Sequence, residues 1–277
     1  MTESCTATEF PYLHGFSPTE QARLVKQARL AESTVFRDID YTGARRLLEV
    51  GSGVGAQTEI LLRRFPDLRV TCVDLNAQQL DAARANLAAM PWLEGRYALH
   101  CTDATDLPFE PRSFDAAFLC WVLEHVPAPA RVLAEVRRVL TPGAPVYVTE
   151  VMNASFLLDP YSPNVWRYWM AFNDFQIDSG GDPFVGAKLG NLLLAGGFRD
   201  VATRIKTFHL DNREPARRKQ MIAFWEELLL SAADQLLAAG KVDRGTVDGM
   251  RRELRQVQND PDAVFFFSFV QARTVVY

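Results

Sequence analysis

The segment that most constrains this chain runs from Leu47 to Gly55, where a short apolar stretch is followed by three alternating glycines. The apolar stretch has the composition of a buried strand, and glycine lets such a strand turn sharply into a helix. Because glycine has no Cβ, backbone N–H groups at these positions can also approach a ligand closely. The pattern predicts a strand–loop–helix unit whose backbone forms part of a binding site.

The charge beside this loop narrows the choice of ligand. Gly51, Gly53 and Ala56 also satisfy the fingerprint of dinucleotide-binding loops, so the glycines by themselves do not separate NAD from other adenosine ligands. Glu49 lies just before the loop, where a carboxylate would repel a pyrophosphate and attract the ammonium and sulfonium groups of S-adenosylmethionine. The sign of this charge favours a cationic adenosine ligand.

Two later strands end in residues that suit the same ligand. Asp74 closes the second strand and lies about where a carboxylate accepts both ribose hydroxyls, a role that fits either cofactor. A third strand, from about 97 to 101, is followed by Asp103 and Ala104, a polar and a small residue suited to the edge and face of adenine. We therefore expect three strand ends to converge on one adenosine.

Five motifs, in this order along the chain, resemble those of the class I S-adenosylmethionine-dependent methyltransferases. They are EVGSGVG at 49–55, VTCVDLN at 70–76, CTDATDLPFE at 101–110, SFDAAFLCWVLEHV at 113–126 and RVLTPGAPVYVTE at 138–150. The resemblance covers most of residues 41–210, and the ordered series is more specific than a glycine loop alone. The sequence has LTPGA where the family usually has LxPGG, a departure that we expect to alter only a turn.

Strand-like runs alternate with helical periodicity, which is the pattern of a parallel sheet covered on both faces. We expect strands near 45–50, 69–74, 96–101, 114–121 and 144–151, and helices near 56–65, 76–89 and 128–140. An earlier helix, at 17–36, is expected to begin with a capping box formed by Ser17 and Glu20, with Pro18 at its first position. The predicted fold class is α/β, a doubly wound, Rossmann-like, seven-stranded and mostly parallel sheet with helical cap insertions.

The remaining segments predict a lid and a cap around this core. Residues 1–40 are expected to form an N-terminal helical lid, and 41–152, 185–210 and 263–277 the Rossmann-like core. Segments 153–184 and 211–262 are expected to form a helical substrate cap, since the first is rich in aromatic residues and the second is too long for a hairpin loop. Across residues 185–270, in core and cap together, we expect helices near 185–195, 214–239 and 244–258, and strands near 200–210 and 264–270.

The resemblance implies a set of residues that bind S-adenosylmethionine and its product S-adenosylhomocysteine. These are Glu49, Gly51, Gly53, Gly55, Asp74, Leu75, Asp103 and Ala104. Gln57 and Gln79 are candidates for the methionine tail and for the ribose or adenine region, with a solvated helix position as the alternative for each. The backbone of Cys120 is placed to meet the methionine amine.

The N-terminal segment adds three candidates. Tyr12, Arg23 and Gln27 lie in an opening similar to that of several uncharacterised bacterial and archaeal methyltransferases of this class. Arg23 and Gln27 are four residues apart and share one face of the predicted helix, which is expected to close over the cofactor carboxylate. The alternative is a surface ion-pair face.

Methyl transfer from a sulfonium is an in-line displacement, so positioning supplies much of the rate and aromatic faces can favour the cation without trapping it. His125 is the candidate general base for an acceptor that must lose a proton, although a histidine here can instead pack or cap the next helix. Glu150 is a candidate to bind a cationic or N–H-bearing acceptor, with a structural salt bridge as the alternative. Tyr12 completes the catalytic candidates.

Five residues are expected to bind the substrate. They are Trp121, Trp166, Trp169, Asn173 and Phe184. The alternative is that the aromatic residues of 156–184 fill a small core of the cap's own.

Composition excludes several classes of function. With 48% hydrophobic residues, a net charge of −4 and no apolar run of membrane-spanning length, the chain predicts neither a membrane protein nor a binder of polyanions. The N-terminus lacks a basic region and an apolar core, which argues for a cytoplasmic protein. The four histidines have no ligand spacing, so no metal is predicted. A solvated face is expected for the basic cluster Arg213, Arg217, Arg218 and Lys219, with RNA binding as the alternative.

These observations predict a methyltransferase that uses S-adenosylmethionine to methylate a carbon or nitrogen of a hydrophobic, aromatic or heterocyclic small molecule. Indole-type alkaloids or cyclic dipeptides of secondary metabolism are a candidate class. No nucleic acid or membrane partner is expected, and a homodimer is possible. Two alternatives stay open: a methyltransferase acting on RNA or protein, and a non-catalytic regulatory protein that binds the cofactor.

Overall fold

Residues 12–277, the part of the chain that the computed structural model describes, form an α/β fold around one sheet. The strands are β1 (Arg46–Val50), β2 (Arg69–Asp74), β3 (Tyr97–Cys101), β4 (Ala116–Cys120), β5 (Pro145–Val151), β6 (Leu157–Asp159), β7 (Arg199–Leu210) and β8 (Val264–Val275). The helices are α1 (Pro18–Val35), α2 (Ala56–Arg64), α3 (Ala77–Ala88), α4 (Pro129–Val139), α5 (Pro163–Asp178), α6 (Val185–Ala195), α7 (Pro215–Ser231), α8 (Ala233–Ala238) and α9 (Arg244–Asn259).

The sheet has the order β3-β2-β1-β4-β5-β8-β6, and β7 pairs with the opposite edge of β8. β1 to β5 are parallel, whereas β8 is antiparallel to β5, β6 and β7. The chain order reverses between the neighbouring strands β1 and β4, and open α/β sheets bind ligands in the crevice at such a point. The predicted fold class is therefore confirmed, and its switch point lies beside the glycine loop.

The sheet contains one strand more than the seven predicted. β6 lies in the segment expected to be purely helical, and it pairs with the first residues of β8 through Leu157–Phe266 and Leu158–Phe265. β8 is correspondingly longer than predicted, because its second half pairs with β5 while its first half pairs with β6. The helix predicted at 214–239 is interrupted at Ala232, which separates α7 from α8.

Alternate residues of the central strands belong to two hydrophobic clusters, one on each face of the sheet. Leu47 and Phe118 pack in the cluster that includes residues of α1, α2, α5, α7 and α9, while Leu48 and Leu119 pack in the cluster that includes α4 and α6. This is the period-two alternation of a sheet covered on both sides. The helices of the predicted cap thus share a hydrophobic core with one face of the sheet.

Two parts of the sequence predictions at the chain's helices need correction. Ser17 caps α1 by accepting a hydrogen bond from the Glu20 backbone N–H at 3.2 Å, but the Glu20 carboxylate binds Arg23 instead of completing a capping box. Arg218 is not on a solvated face: it is 1% exposed and donates to the carbonyl oxygens of Asp260 and Ala263. It therefore fastens α7 to the entry of β8. The predicted lid at 1–40 lies partly outside the described residues.

Candidate functional site

A cavity of about 580 Å³ lies along the carboxyl ends of the parallel strands. Residues at the ends of β1, β2, β4 and β5 line it, including Val50, Asp74, Cys120 and Val151. α1, α5 and α7 also contribute to its wall. This is the position at which parallel α/β sheets hold ligands.

The lining divides into two groups, which we call the loop half and the aromatic half. The loop half comprises Glu49, Gly51, Ser52, Gly53, Gln57, Asp74, Leu75, Gln79, Asp103, Ala104 and Cys120. The aromatic half comprises Tyr12, His14, Trp121, His125, Trp169, Phe172, Phe208, Met221, Phe224, Trp225, Leu228 and Phe267.

The loop half is built from backbone in conformations that require glycine. Gly51 and Gly53 have φ of 69° and 50°, in the left-handed region. A Cβ on Gly51 would lie 2.4 Å from Cγ2 of Val122, so this position admits no side chain without movement. The Gly53 N–H donates to Asp74 Oδ2 at 2.8 Å, which ties the loop to the end of β2.

Carboxylates give the loop half its electrostatic character. Glu49 is 2% exposed, and Thr58 donates a hydrogen bond to its Oε2 at 2.6 Å. Burial, with a smaller contribution from the nearby Asp74, raises the pKa of Glu49 to about 7. Burial also raises the pKa of Asp74. A cationic ligand beside these groups would favour their ionised forms.

The loop half also contains buried polar atoms that lack a partner among the described residues. They are Ser52 Oγ and Gln79 Oε1. Because buried polar groups are normally hydrogen-bonded, such atoms in a cavity wall indicate places where ligand atoms bind. The set of carboxylates, glycine backbone and orphan polar atoms fits an adenosine ligand that carries positive charge.

A buried charge cluster lies on α1 beside the cavity. Arg23 donates to both carboxylate oxygens of Glu20, at 2.6 and 2.5 Å, and to Gln27 Oε1 at 2.6 Å. Burial raises the pKa of Glu20, and the pKa of Arg23 is raised by its bonds to Glu20. Arg23 and Gln27 line the cavity as predicted, and the surface ion-pair alternative is wrong for Arg23, which is 5% exposed.

The aromatic half is a continuous set of rings. Trp169 stacks on Phe172 with ring centroids 5.3 Å apart and lies 5.5 Å from Trp225, which in turn contacts Phe267 at 4.9 Å. Trp169 Nε1 donates to the Asn153 carbonyl at 3.0 Å, whereas the buried Nε1 of Trp225 has no partner among the described residues. This arrangement suits a planar apolar ligand.

The turn after β4 carries several residues that line the cavity, among them Trp121, Glu124 and His125. Trp121 adopts φ of 58°, which is strained for a non-glycine residue, and its Nε1 is another buried atom without a partner in the described chain. His125 lies 5.0 Å from Tyr12 between ring centroids, and its Nε2 is 3.6 Å from Glu124 Oε1. Glu124 was not predicted from the sequence. It lines the cavity because the turn presents the side chains of both Glu124 and His125 to it.

Glu150 does not line the cavity, contrary to the prediction that it binds the substrate. It is 0% exposed, and its carboxylate accepts hydrogen bonds from the backbone N–H groups of Val122, Leu123 and Glu124. Burial, together with the nearby Glu124, raises its pKa to about 8. Glu150 therefore holds the turn that carries Trp121 and His125.

Four further predicted residues also lie outside the cavity lining. Gly55 is the N-cap of α2, with φ of 73°. Trp166 is 40% exposed, since it lies on the outer side of α5. Asn173 is buried and donates to the Trp169 carbonyl at 2.9 Å, and Phe184 precedes α6. The other predicted binding residues line the cavity.

Several lining residues were missed from sequence. His14, Phe208, Met221, Phe224 and Trp225 come from the N-terminal segment, β7 and α7, and their spacing carries no site motif. Apart from His14, only their shared apolar character signals a buried surface. Within residues 12–277 no group of three or more His, Cys, Asp or Glu side chains could hold a metal ion. In the same part of the chain, no helix combines the length and apolarity needed to cross a bilayer.

Comparisons with known proteins agree with this geometry. Residues 48–148 match the model of a methyltransferase domain. The chain is 30% identical over 197 residues to an uncharacterised 37.1 kDa protein in transposon TN4556 of Streptomyces fradiae, covering 71% of this chain and 54% of that protein. It is 32% identical over 157 residues to O-methyltransferase cnsE of Penicillium expansum, covering 56% and 52%. It spans about half the length of these relatives.

The fold is also similar to solved structures. One is phosphoethanolamine N-methyltransferase 2 of Haemonchus contortus, in complex with phosphomonomethylethanolamine and S-adenosylhomocysteine. The TM-score is 0.61 at 17% identity, covering 98% of this chain and 60% of that one. At this identity the likeness concerns the fold alone.

Proposed function

This chain belongs to the class I S-adenosylmethionine-dependent methyltransferases, and we propose that it methylates a hydrophobic, aromatic or heterocyclic small molecule. The observation that carries the proposal is the joining of two unlike surfaces in one cavity of about 580 Å³. The loop half offers carboxylates and glycine backbone to a cationic adenosine, and the aromatic half offers ring faces to a planar acceptor. Residues 153–184 and 211–262 act in this proposal as the substrate cap.

The loop half holds the cofactor in this proposal. The Asp74 carboxylate accepts the ribose hydroxyls, Asp103 and Ala104 meet the adenine, and Glu49 attracts the positive charge. Leu75 and Gln79 border the ribose and adenine, and Gln57 and the Cys120 backbone border the methionine tail. Ser52 Oγ and Gln79 Oε1 gain ligand partners.

Three α1-side residues complete the cofactor site. Tyr12, Arg23 and Gln27 bind the cofactor carboxylate, and the Glu20 carboxylate fixes the orientation of the Arg23 guanidinium. The bound cofactor supplies a methyl carbon on a cationic sulfur. The protein's contribution is to hold the acceptor in line with that carbon and to exclude water with the rings of the aromatic half.

The acidic balance and the aromatic wall support a small-molecule acceptor over RNA. The net charge is −4, and one member of the predicted basic cluster, Arg218, is buried against backbone carbonyls. The similarity to an O-methyltransferase adds oxygen to the carbon and nitrogen acceptors predicted from sequence. A role in secondary metabolism fits the same similarity.

The test is transfer of a labelled methyl group from S-adenosylmethionine to a panel of phenols, indoles, quinols and cyclic dipeptides, with tRNA and a protein mixture in parallel. We expect label in at least one aromatic small molecule and none in the polymers. Asp74→Ala provides the control, because it removes the ribose acceptor while leaving the aromatic half intact. Methylation of tRNA or protein, with every small molecule unmodified, would contradict the proposal.

A further inference from the structure

His14, which was not among the predicted site residues, lies in the aromatic half beside Tyr12. It is 9% exposed and lines the cavity. Its ring lies 5.3 Å from Tyr12, 6.3 Å from His125 and 5.6 Å from Phe172, measured between centroids. The ring is therefore held among residues assigned to both the cofactor and the acceptor under the proposed function, on which this inference rests.

The hydrogen bonds of Ser231 define which nitrogen of His14 carries a proton. The Ser231 hydroxyl donates its only proton to the Leu228 carbonyl at 2.7 Å, one turn earlier in α7. The same Oγ lies 2.6 Å from His14 Nδ1, and while its proton is on the Leu228 carbonyl it accepts a hydrogen bond from that nitrogen. A neutral imidazole protonated on Nδ1 has a bare lone pair on Nε2.

The surroundings of His14 keep its ring neutral. Burial lowers its pKa well below the usual value, and the positive charge of Arg23 and the neighbouring His125 act in the same direction. The groups that face it are Tyr12 from its own segment, Arg23 from α1, His125 from the turn after β4, and Ser231 from α7. A buried, neutral nitrogen with a free lone pair is a proton acceptor for a ligand.

We propose that Nε2 of His14 takes the proton from an acceptor that is methylated at a phenolic hydroxyl or a ring N–H. In this step the acceptor's O–H or N–H bond breaks and its proton moves to Nε2. The electron pair left on oxygen or nitrogen forms the bond to the methyl carbon, and the carbon–sulfur pair leaves with the sulfur. The imidazolium then releases its proton to solvent. The proposal narrows the acceptor to a molecule that must lose a proton.

His125, the base predicted from sequence, is less suited to this task. Its Nε2 lies 3.6 Å from Glu124 Oε1, so this nitrogen points at a protein carboxylate and not at an open part of the cavity. His14 has no such carboxylate partner at Nε2 among the described residues. The two rings therefore differ in which nitrogen lies beside a carboxylate: Nε2 in His125, and neither nitrogen of His14 among the described residues.

The tautomer can be read directly by nitrogen NMR of the full chain labelled at histidine and saturated with S-adenosylhomocysteine. We expect the His14 ring, identified by its loss in His14→Asn, to carry its proton on Nδ1 and none on Nε2. In Ser231→Ala, which removes the acceptor for Nδ1, we expect a mixture of tautomers. A proton on Nε2 of wild-type His14, or a doubly protonated ring at neutral pH, would overturn the proposal.

Ligand binding supplies the second readout, with umbelliferone as a planar phenol and coumarin as the same ring without the hydroxyl. Both are titrated into the S-adenosylhomocysteine complex. We expect umbelliferone to bind about 3- to 10-fold more tightly than coumarin, the range of one hydrogen bond, and His14→Asn to abolish that difference. Asparagine keeps a donor near Nδ1 but lacks Nε2, and His209→Asn on the exposed part of β7 is the matched control.

Catalysis gives the largest effect. With an acceptor found in the labelled-methyl panel, we expect His14→Asn to lower kcat by about 10²- to 10⁴-fold while the affinity for S-adenosylhomocysteine stays within twofold. Retention of the hydroxyl preference or of full kcat in His14→Asn would overturn the inference and leave the proposed function intact. If the wild-type protein does not bind S-adenosylhomocysteine at all, the proposed function itself is overturned.

Discussion

The two halves of the cavity are built in different ways. The loop half comes from strand ends whose local conformation is dictated by glycine and by carboxylates that bind backbone, as in the bond from the Gly53 N–H to Asp74. The aromatic half joins side chains that are far apart in sequence, such as His14 and Ser231, which are 217 positions apart. Local backbone chemistry therefore shapes the loop half, and long-range packing shapes the aromatic half.

The halves also differ in how they tolerate substitution. At Gly51 in the loop half, an added methyl group would lie 2.4 Å from Val122, so this position has no room for a side chain. In the aromatic half, stacked rings can exchange with rings of similar volume at a cost below about 1.5 kcal/mol. We expect loop-half variants to lose cofactor binding and aromatic-half variants to change acceptor preference.

Gly51→Ala tests the rigid half and carries the largest expected effect. The left-handed φ of 69° costs an alanine about 1–2 kcal/mol, and the overlap with Val122 about 1–3 kcal/mol. We expect the dissociation constant of S-adenosylhomocysteine, measured by calorimetry, to rise by at least about 100-fold.

The control for this variant is Gly43→Ala. Gly43 has φ of 89°, and a Cβ there would meet nothing within 4 Å, so only the backbone penalty remains. It should lower the free energy of unfolding without altering cofactor affinity. Equal loss of cofactor affinity in both variants would show that the contact with Val122 does not matter for cofactor binding, and would contradict the claim that the loop half is rigid at Gly51.

A matched pair of tryptophans tests the aromatic half, with a smaller effect. Trp169→Phe leaves the Asn153 carbonyl without its donor, so we expect the free energy of unfolding in urea to fall by about 1–3 kcal/mol. Trp225→Phe loses the same ring volume but removes an N–H that has no partner within the described residues, so its free energy of unfolding should fall by about 1 kcal/mol less than that of Trp169→Phe. Equal destabilisation by the two variants would contradict a ligand-facing role for the Trp225 N–H.

Sequence reasoning succeeded where a short segment carries its own physical requirement. The strand ends at Val50 and Asp74, the glycine turn and the cap at Ser17 are all local, and the structure has them. It was wrong about Glu150. The carboxylate of this residue accepts hydrogen bonds from three backbone N–H groups in the turn after β4, and the sequence does not show that this turn lies beside the end of β5. It missed His14 for the same reason, since its partner Ser231 approaches only in the folded chain.

The pH dependence of cofactor affinity gives the smallest effect. The pKa of Glu49 is about 7 in the free protein, and a bound cation lowers it, so binding releases a proton from this carboxyl below about pH 7. Affinity for S-adenosylmethionine should therefore rise about tenfold between pH 6 and pH 8 and then level off. Glu49→Gln is the control, because any change of its affinity with pH must come from groups other than Glu49, including those of the ligand. A pH dependence as steep in Glu49→Gln as in the wild type would remove Glu49 from the account.

The most direct test of the central claim is calorimetric titration of the wild-type protein with S-adenosylmethionine, S-adenosylhomocysteine and NAD. The account predicts that the first two bind with one site per chain and that NAD gives no binding heat, because Glu49 and Asp74 border the glycine loop with negative charge. Binding of NAD, together with no binding of either sulfur compound, would contradict it.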